Sequence, residues 1–348
     1  MGWGVLEVLP LSEWYFRVPS PLEPGVHGPG VSRGSLTYPL PSTIAGALAF
    51  MAYRKGLCSA SENVDVEFND LRECISGLFG KQAVIRPGFS ARGDSYYAYI
   101  GSPVMPRLDR LREKLQELAF RIGRSKSPGL TAHSLIGRLI REGDPLMPLH
   151  GHRTGIAIAR SSKNVIEGHL YSVEYVDYRS LGAKLVALVK PKPGKPIKDT
   201  TRFGGEGGVA LASLREPEKE EEMLVQGRGD TWAFTLLTPA LLDSAPTAPL
   251  NPSSPKLGEE LGSLITSMHS CVEEAKVLHI PRGELDTSTI LPGWRLNKPR
   301  KPHLLIPPGT AGLLVASPNC ARDVAEKGVG AHSDIGWGTI LLVSSHKA

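Results

Sequence analysis

Residues 39–56 read PLPSTIAGALAFMAYRKG, and this stretch decides how the rest of the chain is read. Pro39-Leu40-Pro41-Ser42-Thr43 opens a helix, with Ser42 expected as its N-cap because a serine hydroxyl can accept an orphan amide. Ala45, Gly46, Ala47, Ala49 and Ala52 are small, so the helix can lie close against a sheet. Arg54, Lys55 and Gly56 end it, with cations near the C-terminus followed by a glycine stop. Upstream, Gly2–Pro10 (GWGVLEVLP) supplies a strand candidate through Val5, Leu6, Val8 and Leu9. Trp14–Arg17 extends that strand or begins its exit, and residues 18–41 form a long Pro/Gly loop.

Downstream, helices are expected over Asn69–Phe79 and Pro106–Ile122. In the second of these, Leu108, Leu111, Leu115, Leu118 and Ile122 recur at helical spacing. Arg107, Arg110, Arg112, Lys114 and Arg121 lie between them, as a solvated face or one beside RNA. Residues 123–155 read as loop. Thr154–Ala159 and His169–Asp177 read as two strands with a hairpin connection at Lys163–Gly168, and Leu181–Val189 as another strand. The segment Lys190–Lys198 (KPKPGKPIK) is the expected boundary between domains 1–195 and 196–348. Beyond it, Trp232–Leu237, Cys271–Ile280, Leu304–Ile306, Gly312–Ala316 and Thr339–Val343 read as strands. Leu257–Ser270 and Ala321–Lys327 read as helices, and Glu216–Glu222 as a solvated loop. Strands and helices alternate without a regular βαβ repeat, which favours an α+β fold over a doubly wound sheet.

Composition bounds the function. The 348 residues suggest two domains and bury a core without help from disulfides or metals. With 41% hydrophobic residues, disorder, collagen-like repeats and small disulfide scaffolds are excluded. No apolar run is long enough to cross a bilayer, and no signal peptide opens the chain. Cys58, Cys74, Cys271 and Cys320 show no CxxC pairing, so buried free thiols in a reducing cytoplasm are expected. The net charge of +5 is uneven: residues 1–200 hold 26 Lys+Arg against 18 Asp+Glu, and residues 201–348 hold 14 against 17. A basic front half suits a polyanion and a slightly acidic back half suits a protein partner.

The motifs exclude more chemistry than they assign. Gly28-Pro29-Gly30, Gly204–Gly208, Gly328–Gly330 and Gly336–Gly338 can bring backbone amides close to a phosphate. None fits a P-loop or a dinucleotide fingerprint. His150-Gly151-His152 lacks the carboxylates or thiolates of a metal site, so neither metal nor cofactor is expected. GxSxG and HExxH motifs are absent. His27 with Lys55 or Arg33 could cleave RNA by metal-free acid–base chemistry, although nothing in the spacing selects that reading. A small-molecule enzyme on an unrelated α+β fold would instead require a buried pocket with perturbed titratable groups.

Several stretches, taken in order, carry a resemblance. PLPSTIAGALA at Pro39–Ala49, RTGIAI at Arg153–Ile158 with EGHLYSVEYV at Glu167–Val176, and RFGGEGGVA at Arg202–Ala210 resemble segments of the RAMP proteins of CRISPR systems. So do LPGWRLNKPRKP at Leu291–Pro302, IPPGTAGLL at Ile306–Leu314 and GWGTILLV at Gly336–Val343. Together they are most similar to the third-subunit family of the type III-B (Cmr) effector complex. The resemblance implies two ferredoxin-like, RRM-related domains with long loop insertions, a helical one in the N-terminal domain. It also implies a non-catalytic subunit of a hetero-oligomeric complex that holds the 5′ tag of the guide RNA (crRNA). Such a subunit docks on the large polymerase/cyclase-type subunit and on a backbone RAMP subunit; here the acidic second half and Glu216–Glu222 would face protein.

The expected RNA contacts follow from that role. Ser42 and Thr43 offer helix N-terminal amides to a phosphate, with His27 and Arg33 in the preceding loop. His152, Arg153 and Lys163 flank the strand pair. Arg202 with Gly204, Gly205 and Gly207 would bring a cation and amides to the sugar-phosphate backbone. Tyr38 and Tyr171 are candidate stacking platforms. One departure stands out: the family commonly carries a basic residue after GGEG, where this chain has Gly208. The RAMP resemblance also admits a guide-maturing endoribonuclease, with His27 as its candidate.

Overall fold

A computed structural model describes residues 2–17, 32–33, 35–59, 68–122, 128–139, 144–158, 165–192, 196–205, 207–217, 223–242, 255–285, 288–290, 294–295, 298–299 and 303–345. The first half runs β1 (Gly4–Pro10), β2 (Ser32–Arg33), α1 (Pro41–Arg54), α2 (Asn69–Phe79), β3 (Val84–Arg92), β4 (Ser95–Ala98), α3 (Leu108–Ile122) and α4 (Pro128–Leu139). It continues through β5 (Leu149–Ile158), β6 (Val165–Asp177), β7 (Ala183–Lys190), β8 (Ile197–Arg202) and β9 (Val209–Arg215). Then follow β10 (Val225–Gln226), β11 (Thr231–Leu236), β12 (Ala240–Leu242), α5 (Pro255–Met268), β13 (Val272–His279) and β14 (Ser288–Ile290). The chain closes with β15 (Trp294–Arg295), β16 (Lys298–Pro299), β17 (His303–Ile306), β18 (Ala311–Ala316), α6 (Pro318–Lys327) and β19 (Ile340–Ser344).

Two sheets repeat one topology. The five-stranded sheet has the order β10-β19-β11-β18-β13. Within it, β11–α5–β13–β18–α6–β19 is a β-α-β-β-α-β unit whose strands lie in the ferredoxin-like order, last-first-third-second. The six-stranded sheet has the order β4-β3-β7-β1-β9-β8. There β1, β3, β7 and β9 take the same four places, α1 follows the first strand, and β8 replaces the second helix. The α3–α4 pair and the β5–β6 hairpin are insertions between β4 and β7. Thus the fold is α+β with two ferredoxin-like sheets.

Four expectations are corrected. The first sheet keeps its strands until Arg215, so a boundary at 195/196 would cut off β8 and β9; the Pro/Lys-rich segment is a turn within the first unit. The cysteines are paired: Cys58 bonds Cys74 and Cys271 bonds Cys320, at sequence separations of 16 and 49. The N-cap of α1 is Leu40, because Pro41 occupies the first helical position and tolerates it without an N–H. Ser42 therefore lies inside the helix. Residues 128–139, read as loop, form α4.

One apolar cluster joins Val5, Phe89 and Leu188 of the first sheet to α3, α4 and the second sheet through Leu115, Leu135, Phe234 and Leu342. Another sits between the first sheet and α1, joining Leu6, Val8 and Ala212 to Ile44, Leu48 and Met51. The alternation Val5, Leu6 on β1 thus feeds opposite faces of its sheet, as the strand period requires. Among the described residues no helix is long and apolar enough to cross a membrane.

Candidate nucleic-acid interface

The candidate surface is organised by the short segment Glu13–Arg17. Trp14 exchanges backbone hydrogen bonds with Val176 on β6, at 3.0 and 2.7 Å. Tyr15 accepts from the Gly205 amide at 2.8 Å, and Phe16 accepts from the Leu36 amide at 2.8 Å. The Phe16 amide donates to Ser35 Oγ at 2.9 Å. One extended segment therefore stitches the β5–β6 hairpin, the Gly-rich loop and the stretch before α1 into one surface. Beneath it, Trp14 packs against Phe16, Tyr178 and Phe203, with ring centroids 4.8 to 5.8 Å apart.

Arg153 stands on β5 with its side chain 63% exposed, paired with Glu13 at 2.6 Å. Its guanidinium lies 5.1 Å from the centroid of the Tyr175 ring. Gly151 pairs with Tyr175 across the hairpin, and a Cβ on Gly151 would come within 2.5 Å of that ring. The tyrosine thus lies flat where only a glycine leaves room. His152 is exposed, but strand alternation turns it to the other face of β5. There its neighbour His150 approaches Glu174 at 3.0 Å and Thr37 Oγ1 at 3.0 Å.

That second face leads inward to a half-buried carboxylate. Glu284, in the chain after β13, accepts the Thr37 hydroxyl at 2.6 Å, the Thr37 amide at 3.0 Å and the Tyr99 hydroxyl at 2.7 Å. Burial raises its pKa above the usual carboxylate range, and these donors offset part of the rise. The Ser35 amide donates to Glu174 Oε2 at 2.9 Å.

The Gly-rich loop is shaped by close packing. Gly204 adopts φ +74°, and a Cβ there would sit 2.7 Å from the Tyr15 carbonyl oxygen. At Gly208 the clash would be 2.2 Å, with the Phe203 carbonyl oxygen. A basic residue after GGEG therefore has no room in this chain. The amides of Gly205 and Gly208 are spent on Tyr15 and on Gly205 itself. Gly207 is exposed, with nothing within 4 Å of its would-be side chain. Arg202 is exposed at the end of β8.

Helix α1 docks on that edge strand: Arg54 donates to the Thr200 carbonyl at 2.9 Å, and Thr201 to the Ala47 carbonyl at 3.3 Å. Ser42 and Thr43 are half-buried in its first turn, and the Thr43 amide donates to Leu40. Arg33 is on β2, paired with Val173 of β6. Hence Arg33, Arg153, Gly204 and Gly205 converge through the Glu13–Arg17 segment, whereas His152 faces away. His27 and Lys163 lie outside the described residues, as does the side chain of Tyr171. Tyr38 is no platform. It is 1% exposed and stacked on Tyr99 at 5.2 Å, and burial pushes its hydroxyl pKa up.

Sequence reasoning missed Glu13, Tyr175, Thr37 and Glu284. For Tyr175 a local signal existed, the period-two alternation of β6 opposite Gly151. For Glu284 none did, since its partners are 185 and 247 residues away.

Among the described residues no three His, Cys, Asp or Glu side chains group as a metal site. An open cleft of about 260 Å³ is lined by Arg121, Leu130, Thr131, Ser134, Leu135 and Arg138 on α3 and α4. It contains neither a carboxylate nor Glu284.

Comparison with known proteins bears on the fold and the family. A chain of a cryo-EM structure of a type III-B Cmr-beta complex bound to cognate target RNA and AMPPnP superposes with a TM-score of 0.57 at 18% identity, covering 99% of both chains. A chain from the complex bound to cognate target RNA gives 0.55 at 19% identity, over 97% of this chain and 96% of that one. These show a shared fold. In sequence, the CRISPR system CMR subunit Cmr3 of Saccharolobus solfataricus is 26% identical over 208 residues, 58% of this chain and 60% of the relative. The match thus spans less than two thirds of that relative's length. Residues 136–345, well over half of the chain, match the family described as CRISPR-associated protein (Cas_Cmr3), and the chain belongs to that family.

Proposed function

We propose that this chain is a non-catalytic, guide-RNA-binding subunit of a type III-B CRISPR effector complex. It holds the 5′ tag of the crRNA and docks on the large polymerase/cyclase-type subunit and on a backbone RAMP subunit. The observation that carries the reading is the convergence of Arg33, Arg153 and the Gly204–Gly205 turn through one backbone segment, Glu13–Arg17. An exposed cation beside an aromatic ring, as Arg153 is beside Tyr175, suits single-stranded RNA, whose bases stack on rings and guanidiniums while lysines and arginines follow its backbone. Arg202 and Gly207 extend the surface along the sheet edge. Ser42 and Thr43 contribute the α1 N-terminus, and His27, Lys163 and His152 remain proposed contacts.

The test is binding of the purified protein, alone and with the large subunit, across a salt series. The probes are guide RNA with its 5′ tag, the same RNA without it, and duplex DNA. Tag-dependent binding with intact RNA on a denaturing gel is the expected result. Metal-independent cleavage would replace the reading with an endoribonuclease. Absence of binding even with the partner present would overturn it.

A further inference from the structure

We propose that the β5–β6 hairpin carries a nucleobase-stacking platform, in which Arg153 is the stacking surface and Tyr175, Gly151 and Glu13 are its positioning residues. The inference deepens the RNA-binding reading above and rests on it. It assigns Arg153 to a base rather than to a phosphate.

Three observations carry it. The guanidinium is held over a ring, 5.1 Å from the Tyr175 centroid, and a planar cation over a π-face is a stable stack. It is held at its edge by Glu13 at 2.6 Å, next to Trp14, which is fully buried and bonded to Val176 in both directions. Its side chain is nevertheless 63% exposed. An arginine waiting for a phosphate gains nothing from a carboxylate already on its fork. An arginine serving as a flat surface gains orientation from both contacts and keeps its outer face open. Gly151 completes the design, because any side chain there would meet the Tyr175 ring at 2.5 Å and lift it from the strand. The ligand that fits is an unpaired base of single-stranded RNA, stacked on the outer face of the guanidinium. By the register of Trp14 with Val176, Tyr15 and its Gly205 turn share this face, so the Gly-rich loop lies beside the platform.

The test uses the full chain, alone and with the large subunit, titrated with tagged guide RNA carrying 2-aminopurine at one position at a time. At one position, wild-type binding quenches the fluorescence. Arg153→Lys keeps the charge but loses the plane. It is expected to abolish the quench and weaken binding about 5- to 100-fold, the range for loss of one stacked base, with the salt slope changed by less than one unit. Tyr175→Leu and Glu13→Gln reduce the quench, and Tyr175→Phe retains it. Wild-type binding of tagged RNA together with an intact quench and affinity in Arg153→Lys would overturn the platform alone. Wild-type protein that binds no RNA in either setting would overturn the RNA reading and the platform with it.

Discussion

The two ferredoxin-like sheets share a strand order but not a covering. The second unit keeps both of its helices: α5 packs on β13 and α6 on β19. The first keeps only α1, and β8 occupies the chain position of the second helix. The core beside α1 is filled instead by Trp14, Phe16, Tyr178 and Phe203, which belong to loops and strand ends. Where the second unit buries a helix, the first presents the underside of the Glu13–Arg17 surface proposed to bind RNA. In the first unit the exposed loops pack instead on large aromatic side chains, which bury most area per residue.

If the two units form one body, the contacts between them carry large energies. Arg86, on β3 of the first sheet, is fully buried. It donates to the carbonyls of Ala325, Glu326 and Ser333, and so caps the end of α6 in the second unit. Burial lowers its pKa to about 9, so it stays charged at neutral pH. Arg86→Met is expected to lose about 4 kcal/mol of stability by leaving these carbonyls without a donor. Denaturant unfolding measures it, and a loss below about 1 kcal/mol would mean that the units stand independently.

The disulfides sharpen the comparison, because each unit has one. Cys271–Cys320 ties the start of β13 to α6 and closes 49 residues, worth about 4 kcal/mol by loop entropy. Cys58–Cys74 ties the end of α1 to α2 and closes 16 residues, worth about 3 kcal/mol. Paired Ser variants compared in thermal unfolding should rank in that order. The reverse order would show that the first unit, with its missing helix, depends more on its bridge.

What was legible in the sequence was what local pattern encodes. The 3,4 spacing of Leu108, Leu111, Leu115 and Leu118 placed α3, and the apolar run Leu181–Val189 placed β7, which begins at Ala183. Strand β3 was missed because Arg86-Pro87-Gly88 interrupts it; the structure accommodates them with a register shift between Arg86 and Phe89. Gly88, at φ +116°, lets Leu237 come within 2.5 Å of a would-be Cβ. The disulfides were missed because the absence of a CxxC pair reads as free thiols, and Glu284 because its partners are 185 and 247 residues away. Of the candidate site, Arg153 and the Gly-rich loop were readable. Their supports, Glu13 and Tyr175, depend on a register that only the folded chain reveals.

Two half-buried groups of the second unit, each against a partner in the first, pull stability in opposite directions in the acid range. His279, on β13, faces His133 of α4 with ring centroids 5.1 Å apart. Burial, and then His133, lowers its pKa from 6.5 to about 4. A base with a depressed native pKa takes up its proton more readily unfolded. Stability is therefore full above pH 6.5 and declines as pH falls towards 4, by roughly 3 kcal/mol. His279→Gln should flatten that decline in urea melts taken between pH 7 and 4, and an unchanged slope would remove His279 as its cause.

Glu284 works the other way and is the smaller effect. It is a second-unit carboxylate buried against first-unit Thr37 and Tyr99. Burial raises its native pKa above 4.5, so the native state holds the proton more tightly than the unfolded chain. Its contribution is fully present below pH 4.5 and is lost as pH rises through the native value. Glu284→Gln mimics the protonated acid. One amide oxygen still accepts from Thr37, and the Tyr99 hydroxyl can turn to meet the new donor. The variant should therefore lose this pH dependence and be about 1 kcal/mol more stable than wild type at pH 7. A variant less stable at every pH would mean that the charge itself, through its bonds to Thr37 and Tyr99, holds the second unit against the first.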